Sequence, residues 1–242
     1  MDNFPFKGLF VTGTDTEVGK TFVCALLLKL LTDSGVNATY FKPIATGCSE
    51  GISSPEDVAF VSSVSGLDLS DLIHCPIRYQ KPLAPLAAAR LENRPVSLDL
   101  ILECYEKLMG SAEFLVVEGV GGLMVPLAPG YLVADLMQEL ELPALVVTRP
   151  TLGTINHTLL TLRAIHRRGI PLVGFVTNGH RDKKDEAAQS SPALIEEFSG
   201  VEFLGHIPRY EQEKMSIADF IGKKAPFLKR FVAERILSRR ST

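Results

Sequence analysis

No stretch of this sequence is apolar for long enough to cross a bilayer. The most apolar run, Phe22 to Leu31, spans ten residues and carries Lys29, whereas a membrane helix needs roughly 20. Met1 to Lys7 lacks the apolar core of a secretory signal. Positive charge is not in excess: 25 Lys and Arg face 28 Asp and Glu, for a net charge of −3. Binding nucleic acid in bulk draws its affinity from neutralising phosphates, and no basic face here would supply that. The four cysteines, Cys24, Cys48, Cys75 and Cys104, form no Cys-x-x-Cys pair, and no histidines sit at zinc spacing. Reduced thiols are expected, not a disulfide framework. Internal repeats and low-complexity tracts are also missing. These absences predict a cytoplasmic protein that acts on neither membrane nor nucleic acid.

What is present is an ordinary globular composition, 46% hydrophobic and 22% charged over 242 residues. That length suffices for one α/β domain with a substantial core. Short apolar runs with β character occur at Gly8–Thr12, Thr39–Phe41, Phe114–Val117, Ala144–Thr148, Leu172–Thr177 and Val201–His206. Several are apolar almost throughout, as strands buried on both faces of a parallel sheet must be. Helical patterns fall between them, at Lys20–Ser34, Pro55–Ser65, Leu98–Met109, Val133–Glu141, Thr154–Arg168 and Ala187–Phe198. The alternation predicts βαβ units, a mostly parallel sheet with helices on both faces, and ligands beyond the carboxyl ends of the strands. Gly47–Ser54 is expected to be a loop and the polar segment Asn178–Pro192 to include a mobile connection. The basic tail, from about residue 225 to 242, carries Phe227, Leu228, Phe231, Val232 and Ile236 on one helical face. It is expected to pack on the domain as a terminal helix.

The strongest local signal is Gly13-Thr14-Asp15-Thr16-Glu17-Val18-Gly19-Lys20-Thr21, between an apolar strand and a long helix. Glycines let backbone N–H groups curl around phosphate oxygens, and the helix N-terminus adds partial positive charge. Lys20 is placed for the β and γ phosphates and Thr21 for magnesium. Five residues separate the glycines where the common phosphate loop has four. Glu17 either solvates the helix start or faces an amine-bearing substrate. Lys42, in Lys42-Pro43-Ile44-Ala45-Thr46-Gly47, ends a strand, where it is either a structural lysine or a stabiliser of transferred charge. Asp57 reads alone as a helix-start acid. Glu118 closes a buried strand before Gly119-Val120-Gly121-Gly122, where a magnesium-associated carboxylate is expected. In Thr148-Arg149-Pro150-Thr151-Leu152-Gly153-Thr154-Ile155-Asn156-His157, Thr154 is a candidate helix cap. Asn178-Gly179 and His206-Ile207-Pro208 end two further strands.

As an ordered set, these segments resemble the dethiobiotin synthetase family. The resemblance runs from about Leu9 to Pro208 and covers the five-residue loop, Lys42–Gly47, Glu118–Gly122, Gly153–His157 and Asn178. Thr46 stands where many members carry serine, and Gly179 where an acid can occur. The resemblance implies a P-loop NTPase-like enzyme that uses ATP and Mg2+ to join 7,8-diaminononanoate and CO2. In it Thr21, Asp57 and Glu118 would hold magnesium, Lys42, Lys20 and Thr16 would be catalytic, and Thr16, Glu17 and Thr46 would lie at the carbamate end. Val18, Gly19, Phe22, Gly119, Val120 and Gly121 would line the nucleotide site, and Asn178, Gly179, Pro208, Arg209 and Tyr210 would flank adenine. It also implies a homodimer, with Gly121, Gly122 and Asn156 toward the substrate's carboxylate tail. Partner-switched ATPases of the ParA/MinD branch carry a signature lysine early in the loop, where this chain has Thr14, Asp15 and Thr16.

Overall fold

The computed structural model describes residues 6–49, 54–179, 185–211 and 213–238. In chain order the elements are β1 (Gly8–Gly13), α1 (Lys20–Asp33), β2 (Ala38–Phe41), β3 (Ile44–Thr46), α2 (Glu56–Ser65), β4 (Ile77–Tyr79) and α3 (Pro85–Leu91). There follow α4 (Leu98–Ser111), β5 (Phe114–Gly122), β6 (Pro126–Ala128), β7 (Tyr131–Leu132), α5 (Val133–Glu139) and β8 (Ala144–Thr148). The chain continues through α6 (Thr154–Arg167), β9 (Leu172–Asn178), α7 (Glu186–Ser199), β10 (Phe203–Ile207), α8 (Ile217–Lys224) and α9 (Pro226–Phe231).

The six long apolar runs pair into one sheet, in the order β10-β9-β8-β1-β5-β2, and every pairing is parallel. β1 lies between β8 and β5, so the loop after it opens at the middle of the sheet's carboxyl edge. Alternate side chains divide between two cores. Leu9, Val11, Val116 and Val147 join α1, α2 and the C-terminal helices. Phe10, Leu115, Val117 and Val146 join the face covered by α3 to α7. Both faces are therefore apolar and covered, which is why these strands read as continuous apolar runs. Among the described residues, no helix is long and apolar enough to cross a membrane.

Three differences from expectation have local causes. β5 continues past Glu118 to Gly122, because Val11 still pairs with Glu118 and Gly13 with Gly122 after a register shift. Val201 falls outside β10, which begins at Phe203. α7 runs Glu186–Ser199, one residue beyond the expected Ala187–Phe198 at each end and with Pro192 inside it as that pattern required, because Asp185 caps its start; residues 180–184 of the expected polar connection are outside the described ones. The tail packs as expected. Leu228, Phe231, Val232 and Ile236 are buried, in α9 and the π-helical turn Val232–Ile236 that follows it.

Among the helix starts, two kinds stand apart. α4, α7 and α8 carry side-chain caps from Ser97, Asp185 and Ser216. α1 and α6 instead begin after Gly19 and Gly153, both left-handed, with no side-chain cap. Both starts lie at the carboxyl edge of the sheet, where uncapped helix N–H groups can meet an anion, although the Thr154 N–H of α6 is already bonded to Thr151 O at 3.0 Å. Thr154, a candidate cap from sequence, is not the capping residue of α6.

Candidate active site

The phosphate loop is held from behind. Gly19 adopts φ 90°, and a Cβ there would sit 1.9 Å from Nδ2 of Asn178. Asn178, the last residue of β9, donates that amide to the Val18 carbonyl at 2.9 Å. Thr14 N donates to Val147 O at 3.1 Å, and the Thr14 and Thr148 hydroxyls meet at 3.1 Å. Behind them, the buried hydroxyls of Thr154 and Thr158 lie 2.8 and 2.9 Å from that of Thr148. Thr154 therefore ties α6 to β8. On the rim, Asp15 accepts from the Thr16 N–H at 2.8 Å and pairs with Arg149.

Lys20, buried beneath the loop, donates to the Asp15 carbonyl at 3.0 Å. Burial, helped by the nearby positive charge of Lys42, pulls its pKa down to about 8 against the opposing pull of Glu118 and Asp57.

The register of β2 against β5 builds the rest. Tyr40 pairs with Val116 and Phe41 with Val117, so Lys42, one residue past β2, comes level with Glu118. Its ammonium donates to Glu118 Oε1 at 2.6 Å and lies 2.8 Å from Asp57 Oδ2. The Thr21 hydroxyl lies 2.8 Å from Glu118 Oε1 and 3.0 Å from Asp57 Oδ1. Tyr40 closes the far side, donating to Glu118 Oε2 at 2.6 Å. Burial works against the charge on Lys42, yet Glu118 and Asp57 outweigh it and hold the ammonium above the ordinary lysine range. Burial likewise opposes ionisation of Asp57, but Lys42 overcomes it and keeps the carboxyl below its usual value. Asp57, Glu118, Lys42 and the Thr21 hydroxyl are thus bonded to one another under the loop, with Lys20 beside them on the Asp15 carbonyl.

These donors fit magnesium. Magnesium prefers oxygen ligands and is commonly bound by one or two carboxylates, with phosphates and water completing its octahedron. Thr21, Asp57 and Glu118 supply that number and kind of oxygen. The Lys42 ammonium between the two carboxylates shows that the spot already accommodates positive charge. Among the described residues there is no cluster of three or more His, Cys, Asp or Glu that would form a closed metal cage.

Five of the predicted residues, Lys20, Thr21, Lys42, Asp57 and Glu118, come together in this one cluster. Thr16 and Glu17 lie exposed on the loop rim, Glu17 with φ 56°. A Cβ on Gly121 would lie 3.7 Å from Thr16 Cγ2, so that glycine borders the same rim. Gly122 joins Thr14, Asp15, Met124 and Leu160 around a cavity of about 370 Å3. Thr46 ends β3, half-buried. Gly119 turns the other way, where its Cβ position is 3.0 Å from the Phe10 ring, and Val120 packs in that same core. On the opposite side of the loop, Phe22 stacks on Tyr210 with centroids 5.7 Å apart. Pro208 and Arg209 line a cavity of about 250 Å3 with Met215, Phe220 and Lys224, and the Gly179 N–H is bonded to Ile207 O at 3.0 Å. Asn156 is exposed on the first turn of α6. Sequence reasoning missed Tyr40, which looks like one more apolar residue of its strand, and the Asp15–Arg149 pair.

Comparison with known proteins gives the family and the fold. A family model described as an AAA domain matches residues 7–214. The ATP-dependent dethiobiotin synthetase of Bacillus licheniformis is 43% identical over 206 residues, 85% of this chain and 87% of that protein. The enzyme of that name from Thermodesulfovibrio yellowstonii is 39% identical, covering 96% and 98% of the two chains. The septum site-determining protein MinD of Pyrococcus horikoshii, complexed with Mg-ADP, superposes with a TM-score of 0.56 at 18% identity, over 96% of this chain and 97% of that one. That likeness shows the P-loop NTPase-like fold alone. At these identities and coverages, the chain belongs to the ATP-dependent dethiobiotin synthetase family.

Proposed function

We propose that this enzyme makes dethiobiotin, in biotin biosynthesis, from 7,8-diaminononanoate, carbon dioxide and ATP through a carbamate and a carbamic–phosphoric anhydride. The observation that carries the reading is the Lys42 ammonium bonded to both Glu118 and Asp57 beside Thr21, directly under the phosphate loop.

The reaction joins two anions, so the site must concentrate positive charge. First, one substrate amine attacks CO2; a C–N bond forms and the amine releases a proton. A carbamate oxygen then attacks the γ-phosphorus, and the bond to the ADP oxygen breaks. The neighbouring amine attacks the carbamoyl carbon, the C–O bond breaks, and phosphate leaves as the ring closes. Lys20 sits to hold the transferred phosphoryl group. Lys42, fixed by two carboxylates, sits to neutralise charge where carbamate and phosphate meet. Magnesium, held by Thr21, Asp57 and Glu118, would add charge stabilisation on the phosphates.

The cavity beside Thr14, Asp15 and Gly122 supports placing the diamine there, with Thr16, Glu17, Thr46 and Gly121 around its reacting end. Pro208 to Tyr210, with the cavity they border, support an adenine position near Asn178. Exposed Leu152, Leu160 and Met124, at 85, 59 and 58%, flank the substrate side. They support a homodimer that covers them and brings Asn156 toward the substrate tail.

Oxygen tracing tests the chemistry. With 18O-labelled carbon dioxide, the anhydride route delivers one labelled oxygen to the released phosphate. Phosphate free of label in early turnovers would overturn it.

A further inference from the structure

Glu118 has two oxygens with different partners. Oε1 accepts from Lys42 at 2.6 Å and Thr21 at 2.8 Å. Oε2 accepts from the Tyr40 hydroxyl at 2.6 Å. Tyr40 and Glu118 are almost wholly buried, at 0 and 1% exposure, and the phenol approaches from the neighbouring strand rather than from a mobile loop. Lys42 follows Tyr40 by two residues, one past the end of β2, and both side chains reach the same carboxylate. One reaches each oxygen of the same carboxylate.

This arrangement has a consequence for cation choice. Oε1 faces Thr21, which also reaches Asp57, whereas Oε2 is turned away to the buried phenol, so bringing both oxygens to one metal would require breaking the Tyr40 bond. Magnesium accepts such single-oxygen ligands at short range and strict octahedral geometry, whereas calcium takes more oxygens and commonly engages both oxygens of one carboxylate. Resting on the magnesium site proposed above, we propose that Tyr40 holds Glu118 as a one-oxygen ligand and so sets the site's preference for Mg2+ over Ca2+. Tyr40 acts as a positioning residue: it touches neither nucleotide nor substrate, and it works through Glu118.

The test is calorimetric titration of Mg2+ and Ca2+ into the protein–ADP complex, comparing wild type with Tyr40→Phe. Removing the hydroxyl should narrow the Mg2+/Ca2+ affinity ratio about tenfold, the scale of one lost bond to a charged group. ADP affinity without metal should not change. A second form, with 3-fluorotyrosine placed at position 40, keeps the hydroxyl and makes it a stronger donor; its ratio should equal or exceed wild type. An unchanged ratio in folded Tyr40→Phe overturns the proposal, because a purely packing role lowers the melting temperature without moving ion preference. A narrowed ratio in the fluorotyrosine form overturns it equally, and decides the matter should Tyr40→Phe fail to fold. If instead wild type shows no Mg2+ binding with ADP that Asp57→Asn weakens, the metal site itself is wrong, an outcome distinct from failure of the Tyr40 role.

Discussion

The side-chain amide of Asn178 occupies the space where a Cβ on Gly19 would have to go. The two residues are far apart in sequence, yet Asn178 Nδ2 would stand 1.9 Å from that carbon while it bonds to the neighbouring Val18 carbonyl at 2.9 Å. A strand end from the second half of the chain thus fixes the curl of the phosphate loop.

Two variants separate the parts of that contact. Gly19→Ala meets both the amide and a φ of 90°, so the loop cannot keep its shape, and ATP binding should be lost. Asn178→Ala removes one of the bonds that hold the loop and leaves its ties from Thr14 to β8, so ATP should bind about tenfold more weakly. Equilibrium binding of ATP measures both. Wild-type affinity in Gly19→Ala would contradict the packing described.

Lys20 gives a pH dependence of defined sign. In the free protein its pKa stands near 8, below an ordinary lysine, because burial and Lys42 disfavour the charge. Phosphates favour the protonated form. ATP should therefore bind best below pH 8, take up a proton when bound at pH 8 to 9, and weaken as pH rises through that range. Calorimetry in buffers of different ionisation heat reads the proton uptake directly. Proton release on binding would contradict this assignment.

Removing one member of the buried charge cluster should cost more than removing two. Lys42→Ala leaves Glu118 buried without its ammonium, a change worth about 3–5 kcal/mol. Adding Glu118→Gln to Lys42→Ala should recover part of the loss. Asp57, whose side chain is 41% exposed, should tolerate Asp57→Asn with a smaller loss. Urea unfolding of the four proteins checks the order.

At the other end of the chain, the Phe227 ring lies over Gly205, where a Cβ would come within 2.5 Å of it. Gly205→Ala should destabilise the protein by about 1–3 kcal/mol through overpacking and leave ATP affinity unchanged. A thermal melt beside an ATP titration shows whether the tail is structural, as its buried Leu228, Phe231 and Ile236 indicate.

The sheet was largely legible because burial on both faces makes each strand an unbroken apolar run; Ala144–Thr148 was bounded to the residue. What escaped was short or chemically disguised. β3, β4, β6 and β7 have two or three residues each, too few for any period to show. The α3 helix has seven and begins at Pro85. β5 looked finished at Val117 because Glu118 interrupts its apolar pattern, although the backbone pairing carries on. In the site, Lys20, Thr21 and Glu118 announced themselves by strand–loop–helix context. On its own chemistry Asp57 read as a helix-start acid, and the family resemblance alone marked it for magnesium, because its partnership with Lys42 depends on how α2 returns to the sheet. The roles of Tyr40 and Arg149 needed distances that no spacing encodes.

The most direct test of the central claim is dethiobiotin formation from 7,8-diaminononanoate, bicarbonate, Mg2+ and ATP, with wild type beside Lys42→Ala. The account predicts product from wild type and a rate about 10²–10³-fold lower from the variant, with ATP still bound by both. No product from folded, ATP-binding wild type, or an undiminished rate from Lys42→Ala, would contradict it.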